Sequence, residues 1–217
     1  MAPAAPPKGL HVLVTGASRG IGRACALRFA HAGHTVTALA RTEAQLRELQ
    51  KIDNRITPLI ADLTTYPALA ESYDVAILNA GYYAPGGLLA PGRDVFAESW
   101  PLNVMANHRL ARLLLPRMLK RGGGHLIAIG STATDESPLH MTAYAATKKA
   151  LRALYEGWER ELAGTPVRTT LVAPGATLTS SWEGEVPPPD ILQPEQVAEL
   201  VYRAVTEGLT GRLTISA

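Results

Sequence analysis

The sequence predicts an α/β fold, with one doubly wound, mostly parallel sheet and helices on both faces. Short apolar runs alternate along the chain with longer patterns of helical periodicity, as repeated strand–helix–strand units require. Several of the runs are apolar on both faces, as strands covered by helices on both sides must be. At 217 residues the chain has the length of one domain with a full hydrophobic core.

The strand candidates are short and are followed by turn residues. They cover residues 10–16, 34–40, 55–61, 73–81, 124–131, 167–175 and 212–217. The first six are expected to end near Thr15, Ala40, Ala61, Asn79, Ser131 and Ala173.

The helix candidates lie between these runs. The first begins near Gly20, and the second follows residues 42–45, whose Thr-Glu-Ala-Gln sequence fits a capping box. Long helices are expected over residues 95–120 and 142–163, and a last one over 194–206 with proline in its first turn. Pro116 is expected to end or kink the first of the long helices, because proline lacks the N–H that the helix needs.

Composition excludes several classes of function. Hydrophobic residues make up 47% and charged residues 18% of the chain, and the net charge is +2 without a run of Lys or Arg, so no nucleic-acid site is expected. Cys25 is the only cysteine, which favours a reducing compartment. The N-terminus lacks the apolar core of a signal peptide, and no apolar run approaches the roughly 18 residues of a membrane span. We expect a cytoplasmic protein that binds no membrane.

A glycine-rich turn follows the first strand. Gly16, Gly20 and Gly22 stand where a parallel sheet places a helix N-terminus, and backbone N–H groups there bind phosphate. Gly16 permits the tight turn, Gly20 lets the backbone approach a pyrophosphate, and Gly22 lets the helix pack closely. The alternative is a plain turn. Residues 16–20 also match the G-x-S-x-G elbow of hydrolases, but that reading leaves Gly22 without a purpose.

Tyr144 and Lys148 stand four residues apart near the start of a helix and therefore share one face. They form either an ordinary surface pair or a tuned acid. A free tyrosine has a pKa near 10 and is a poor acid or base at neutral pH unless positive charge stabilises its phenolate.

Together with the glycine turn, this pair resembles the short-chain dehydrogenase/reductase family, from about Leu10 to the end of the chain. Residues 15–22 match the cofactor turn of that family, and residues 78–81 its N-N-A-G motif, with Leu78 in place of the first Asn. Ser131 precedes Tyr144 by thirteen residues, the usual spacing in the family. Asn103 falls where the family keeps an active-site asparagine. Pro174-Gly175 falls where it has a turn beside the nicotinamide.

The resemblance implies a single-domain Rossmann fold, with a dinucleotide-binding catalytic domain over 10–217 and a flexible tail over 1–9. In the implied chemistry, Tyr144 gives its proton to a carbonyl oxygen that Ser131 holds. Lys148 and an oxidised nicotinamide lower the pKa of Tyr144, and Lys148 reaches the ribose. Asn103 anchors a water that links Lys148 to solvent. The cofactor-binding residues are expected to be Gly16, Ser18, Arg19, Gly20, Ile21, Gly22, Arg41, Thr42, Asp62, Leu63, Asn79, Ala80, Gly81, Tyr144, Lys148, Pro174, Gly175, Thr177 and Thr179.

The expected cofactor is NADP(H). An NAD site usually places an acid at the end of the second strand, where this chain has Ala40 and Arg41. Arg19 and Arg41 suit a ribose 2′-phosphate, which guanidinium groups bind through forked hydrogen bonds. Asp62 fits the adenine contact of the family, and its alternative role is to cap the following turn. No metal is expected, because His31 and His34 have no further ligands near them in the sequence.

The expected reaction is hydride transfer between NADP(H) and a small, largely apolar carbonyl or alcohol. Two alternatives remain: a 3-oxoacyl-carrier reductase and a non-catalytic NADP(H)-binding sensor or scaffold. The substrate residues are expected to be Tyr82, Tyr83, His140 and Trp182, with Leu88, Leu89, Leu139 and Met141 nearby. A stripe of small residues on the tyrosine helix predicts a homodimer; its members are Ala143, Ala146, Ala150, Ala153 and Gly157.

Overall fold

The computed structural model describes residues 9–69, 72–85, 92–184 and 186–217. The expected tail before residue 9 and the expected substrate residues Leu88 and Leu89 lie outside these ranges. Across the described ranges the strands form one sheet, ordered β3-β2-β1-β4-β5-β6-β7 and parallel throughout. Their bounds are β1 His11–Thr15, β2 Thr35–Ala40, β3 Ile56–Ile60, β4 Val75–Leu78, β5 Gly124–Ile129, β6 Val167–Pro174 and β7 Gly211–Ile215.

The predicted doubly wound parallel sheet is confirmed. The chain starts in the middle of the sheet, builds outward to β3, returns beside β1 as β4 and continues to β7. Each of the six predicted strand ends lies within two residues of the observed one. The reversal of direction between β1 and β4 opens a crevice at the carboxyl ends of these strands, which is where ligands bind in such sheets.

The helices cover both faces of the sheet. They are α1 Gly20–His31, α2 Glu43–Ile52, α3 Val95–Trp100, α4 Asn107–Arg121, α5 Thr142–Glu161 and α6 Pro194–Thr206, and a π-helical segment over Pro101–Ala106 joins α3 to α4. In the parts of the chain that the structure describes, no helix combines the length and the apolar character that crossing a membrane requires.

The side chains of β1 alternate between two cores. Val12 and Val14 pack with Phe29 of α1 and Val201 of α6, whereas Leu13 belongs to the cluster beneath α4 and α5. This alternation follows from the two-residue period of a strand. Cys25 is fully buried in the first core, and burial raises the pKa of its thiol to about 12.

Two expected details of the helices are corrected. Thr42 precedes α2, but its side chain makes no capping hydrogen bond, and Gln45, the partner that a capping box needs, lines a cavity instead. Pro116 lies inside α4 without ending it. That helix ends where Gly122 adopts a left-handed backbone, with φ of 85°, and the N–H groups of Gly122 and Gly123 bond back to the last turn.

Candidate active site

Two adjoining cavities open at the carboxyl ends of the strands. The first, named here the glycine-turn cavity, has a volume of about 570 Å³ and lies over the glycine turn and the ends of β2 and β3. The second, the tyrosine cavity, has a volume of about 690 Å³ and lies over the ends of β5 and β6. Both are lined by Ile21, Asn79, Gly81, Tyr82, Tyr83, Thr179 and Ser181. One elongated ligand can therefore occupy both.

The predicted site residues collect around these cavities. The glycine-turn cavity is lined by Gly16, Ser18, Arg19, Gly20, Arg41, Thr42, Asp62, Leu63 and Ala80, beside the shared residues. The tyrosine cavity is lined by Ser131, Tyr144, Lys148, Pro174, Gly175, Thr177 and Trp182, beside the same shared residues. Three predicted residues line neither cavity: Gly22, Asn103 and His140.

The backbone and the packing of the turn require glycine at Gly16, Gly20 and Gly22. Gly16 and Gly20 have φ of +66° and +54°, a left-handed conformation that favours glycine. A Cβ on Gly22 would lie 2.3 Å from the Gly16 carbonyl oxygen and 2.5 Å from Nδ2 of Asn79. Gly22 thus lets α1 begin directly against the turn. No side chain caps the start of this twelve-residue helix, so the turn fits the phosphates of a dinucleotide.

Thr15 and Asn79 fasten this turn to the end of β4. The buried Thr15 hydroxyl donates to the Ile77 carbonyl and accepts from the N–H groups of Asn79 and Ala80, at 3.0 Å each. Asn79 Nδ2 donates to the carbonyls of Thr15 and Gly16, at 2.9 and 3.3 Å. Sequence reasoning missed Thr15, although a threonine that ends an apolar strand just before a glycine turn was a usable signal.

Arginine, not an acid, occupies the end of β2. The Arg41 side chain is 74% exposed, and its Nη1 lies 3.8 Å from Oδ2 of Asp62. An exposed pair at this distance is weak, so the guanidinium stays available to a ligand. Asp62 accepts hydrogen bonds from the N–H and hydroxyl of Thr64, which lower the pKa of its carboxyl group. Asp62 therefore caps the turn over Leu63–Thr65 and lines the cavity as well.

Ser131, Tyr144 and Lys148 meet at the tyrosine cavity. The buried Lys148 ammonium donates to the Ile129 carbonyl at 2.8 Å and lies 5.8 Å from the centre of the Tyr144 ring. The Ser131 oxygen accepts from the N–H of Ala133 at 3.1 Å. Its hydroxyl also hydrogen-bonds with the Tyr144 phenol, so the two oxygens lie together in the lining of the cavity.

Among the protein's own groups, burial has the largest effect on the pKa of Tyr144. Burial raises the pKa of Tyr144 to about 12; a hydrogen bond with Ser131 opposes the rise, and the nearby Tyr83 adds to it. The Lys148 ammonium lies over the ring at 5.8 Å from its centre and donates to the Ile129 carbonyl. Burial lowers the pKa of Lys148 itself to about 8. The phenol is therefore protonated at neutral pH, which is the form that donates a proton.

Asn103 lies behind the site, in the π-helical segment. Its Oδ1 accepts from the N–H of Tyr82 at 2.6 Å, and its Nδ2 donates to the Tyr82 carbonyl at 2.9 Å and to Oγ1 of Thr147 at 3.0 Å. Thr147 in turn donates to the Tyr144 carbonyl at 2.8 Å. The amide thus ties the loop after β4 to α5, and its role in anchoring a water stays a prediction. Such π-helical segments are frequent at functional sites.

Thr147 is the second residue that sequence reasoning missed. It is fully buried and lies between Tyr144 and Lys148 in the sequence. A hydroxyl residue directly before Lys148, on a helix that is otherwise rich in alanine, was the sequence feature that could have identified it.

The expected substrate residues divide into two groups. Tyr82, Tyr83 and Trp182 line the tyrosine cavity, and the Tyr83 and Tyr144 rings meet edge to face with centres 5.1 Å apart. His140 is not brought to either cavity. It is exposed in the turn before α5, with φ of 60°, and it is the next residue, Met141, that reaches the cavity.

Comparisons with known proteins show the family to which the chain belongs. The family model described as short chain dehydrogenase matches residues 10–188. The chain is 34% identical to the NADP-dependent 3-hydroxy acid dehydrogenase of Escherichia coli O6:H1, over 76% of this chain and 71% of that protein.

Solved structures share the fold. A 7α-hydroxysteroid dehydrogenase complexed with NADH and 7-oxo glycochenodeoxycholic acid superposes with a TM-score of 0.86 and 25% identity, covering 96% of this chain and 93% of the other. The closed form of a serine dehydrogenase complexed with NADP+ gives a TM-score of 0.83 and 26% identity, covering 96% and 95%. By its motifs, its sheet and the extent of these matches, the chain belongs to the short-chain dehydrogenase/reductase family of oxidoreductases.

Proposed function

We propose that the protein is an NADP(H)-dependent carbonyl reductase or alcohol dehydrogenase for small, largely apolar substrates. The observation that carries this proposal is the meeting of Ser131, Tyr144 and Lys148 where the tyrosine cavity adjoins the glycine-turn cavity. Related dehydrogenases support a nicotinamide cofactor. The 3-hydroxy acid dehydrogenase is NADP-dependent, and the hydroxysteroid and serine dehydrogenase structures are complexes with NADH and NADP+ respectively.

The chain's own residues perform the proton chemistry. When bound, the nicotinamide supplies a hydride to the carbonyl carbon or accepts one from the alcohol carbon. Tyr144 donates its phenolic proton to the carbonyl oxygen, so that hydride and proton together convert the carbonyl into an alcohol. The Ser131 hydroxyl donates a hydrogen bond to the same oxygen and stabilises its developing charge. Lys148, whose ammonium lies over the Tyr144 ring at 5.8 Å from its centre, compensates the charge of the resulting phenolate.

The lining of the tyrosine cavity supports an apolar substrate. Tyr83, Met141 and Trp182 supply large apolar surfaces, and the Trp182 indole N–H is already bonded to the Thr177 carbonyl at 3.0 Å. The ring of Trp182 is therefore held in place as a wall, and its polar atom is not offered to a ligand.

Tyr144→Phe separates an enzyme from a non-catalytic cofactor sensor. The variant lacks the proton donor, so turnover of a carbonyl panel that includes a 3-oxoacyl thioester should fall at least about a hundredfold, while NADPH affinity stays nearly unchanged. Tyr202→Phe, in α6 and away from both cavities, is the matched control. Turnover that survives in Tyr144→Phe contradicts the assignment, and tight NADPH binding by a wild type without turnover favours the sensor.

Arg41→Ala tests the preference for NADP. Charge-assisted hydrogen bonds are worth roughly 1.5–3 kcal/mol, so losing one should weaken NADPH binding about ten- to a hundredfold and barely change NADH binding. Arg47→Ala removes an exposed arginine from α2 that lines neither cavity, and it is the matched control. Dissociation constants for both cofactors at fixed salt decide the question, and equal weakening of both refutes it.

We propose that the protein is a cytoplasmic homodimer joined through α5. Ala146, Ala150 and Gly157 are partly exposed and Ala153 is exposed, and a Cβ on Gly157 would meet no atom within 4 Å. This face of small side chains lets a second helix approach closely. Sedimentation velocity at micromolar concentration should give the mass of two chains, and a clean monomer would defeat the proposal.

A further inference from the structure

The charges around the tyrosine cavity are unequally distributed. Among its described lining residues, the carboxylates are Asp135 and Glu136 and the single basic side chain is Lys148.

Lys148 is not available to a substrate anion. Its side chain is buried, and its ammonium already donates to the Ile129 carbonyl at 2.8 Å, with the Tyr144 ring centre 5.8 Å away. A carboxylate that entered the cavity would therefore lose water without gaining a cation, which is costly.

The two carboxylates differ in their partners. Asp135 is held by two guanidinium groups: Arg152 contacts its Oδ1 at 3.0 Å, and Arg212 contacts its Oδ2. These ion pairs largely compensate its charge, and neither arginine lines the cavity. Glu136 is exposed, and across the described ranges it forms neither a hydrogen bond nor an ion pair. Lys149, the other cation beside this loop, donates to the Ser137 hydroxyl at 3.0 Å and does not line the cavity.

We infer that the tyrosine cavity selects its substrate by charge: it rejects carbonyl compounds with a free anionic group, and Glu136 favours those with a cationic group at the end away from the reacting carbon. This inference rests on the proposed function, because it concerns the substrate of the same site. Glu136 is both exposed and part of the lining, so it stands where the cavity opens to solvent. Glu136 and Tyr144 line the same cavity, so a substrate whose carbonyl reaches Tyr144 can extend toward this carboxylate.

Three aryl ketones that differ in one group test the inference. They are acetophenones with a para trimethylammonium, methyl ester or carboxylate group, so shape is nearly constant while charge runs from positive to negative. Their affinities are measured by calorimetry with saturating NADP+, where the oxidised cofactor cannot reduce a ketone. Rates with NADPH are measured separately. Binding thus reports charge selection, and turnover reports the proposed function.

The wild type should bind the cationic ketone most tightly and the anionic one least. Glu136→Gln should lower the cation-to-anion affinity ratio roughly two- to fivefold, and Glu136→Lys roughly five- to twentyfold, because a charge near the cavity mouth acts through partly screened Coulomb forces. Glu161→Gln makes the same charge change at the far end of α5, about 20 Å along the helix from Lys148, and should leave the ratio unchanged.

Each result has a definite meaning. Preferential binding of the anionic ketone, or an affinity ratio that both Glu136 variants leave unchanged, overturns the inference even if the ketones are reduced. The expected ranking in binding without any reduction upholds the charge selection and refutes the proposed function.

Discussion

The stability of the protein should fall steeply in mild acid because of one histidine in β5. His125 is 1% exposed, and its Nε2 lies 2.7 Å from Oγ1 of Thr170. That hydroxyl donates its proton to the Leu209 carbonyl at 2.6 Å, so Nε2 must be the protonated ring nitrogen. Nδ1 is then proton-free and buried without a partner in the described structure. Protonating it would place a charge in the core.

Burial, with the nearby positive charge of Arg168, lowers the pKa of His125 from 6.5 to about 3. The unfolded chain takes up a proton as pH falls below about 6.5, whereas the folded chain does not until about 3. Stability contributed by the neutral imidazole is therefore complete above about pH 6.5 and is lost between these two values. At about pH 4.5, two units below the unfolded pKa, the loss amounts to about 2.7 kcal/mol at 1.36 kcal/mol per unit.

Urea unfolding, followed by tryptophan fluorescence at about pH 7.5 and 4.5, measures this loss of stability. His125→Gln keeps an amide donor for Thr170 but cannot titrate, so its free energy of unfolding should fall by about 2–3 kcal/mol less than that of the wild type between the two pH values. His140→Gln, in an exposed turn, should behave as the wild type does. Equal losses in the wild type and His125→Gln would refute the reasoning, whatever the absolute stability of the variant.

Two further substitutions test the support of the site. Thr147→Val keeps the shape of the side chain but leaves the Nδ2 group of Asn103 without its threonine partner. We therefore expect kcat/KM to fall roughly five- to a hundredfold. Thr147→Ser retains the hydroxyl, and its kcat/KM should stay within a few-fold of the wild-type value. Full activity in the valine variant would exclude a positioning role. Gly22→Ala should weaken NADPH binding and lower Tm, because the added Cβ would lie 2.3 Å from the Gly16 carbonyl oxygen. We expect this clash to outweigh the higher helix propensity of alanine, which is worth about 1 kcal/mol. Gly157→Ala, where a Cβ meets open space in α5, should instead leave Tm unchanged or raise it; a similar loss in both variants would show that the contact at Gly22 is not the cause.

Local patterns predicted most of the fold because each pattern has a local physical cause. The continuous apolar runs could be satisfied only by strands covered on both faces, and the alternation with helices required parallel strands. The end of α4 was predicted to within one residue, whereas the effect of Pro116 was predicted only in part. Pro116 lies inside the helix without ending it, and the helix ends at Arg121, where Gly122 adopts a left-handed backbone.

The site was predictable to the extent that it depends on residue type and spacing. Tyr144 and Lys148 share a helix face by periodicity, and the glycines stand where a strand meets a helix. The interactions of Asn103 could not be read in this way, since its partners Tyr82 and Thr147 are 21 and 44 residues away in the sequence.

The sequence by itself determined the class of the sheet, the position of the glycine turn and most of the residues that gather at the two cavities, because periodicity, backbone freedom and side-chain chemistry act over a few residues. Only the tertiary structure decided how those groups are charged and connected. Burial raises the pKa of the Tyr144 phenol, and the fold holds the Lys148 ammonium on the Ile129 carbonyl; the spacing of the two residues specifies neither. The fold also leaves Glu136 as the uncompensated carboxylate of the described cavity lining. Solvation and charge pairing depend on what the whole fold brings around a group, and neighbours in sequence do not specify them.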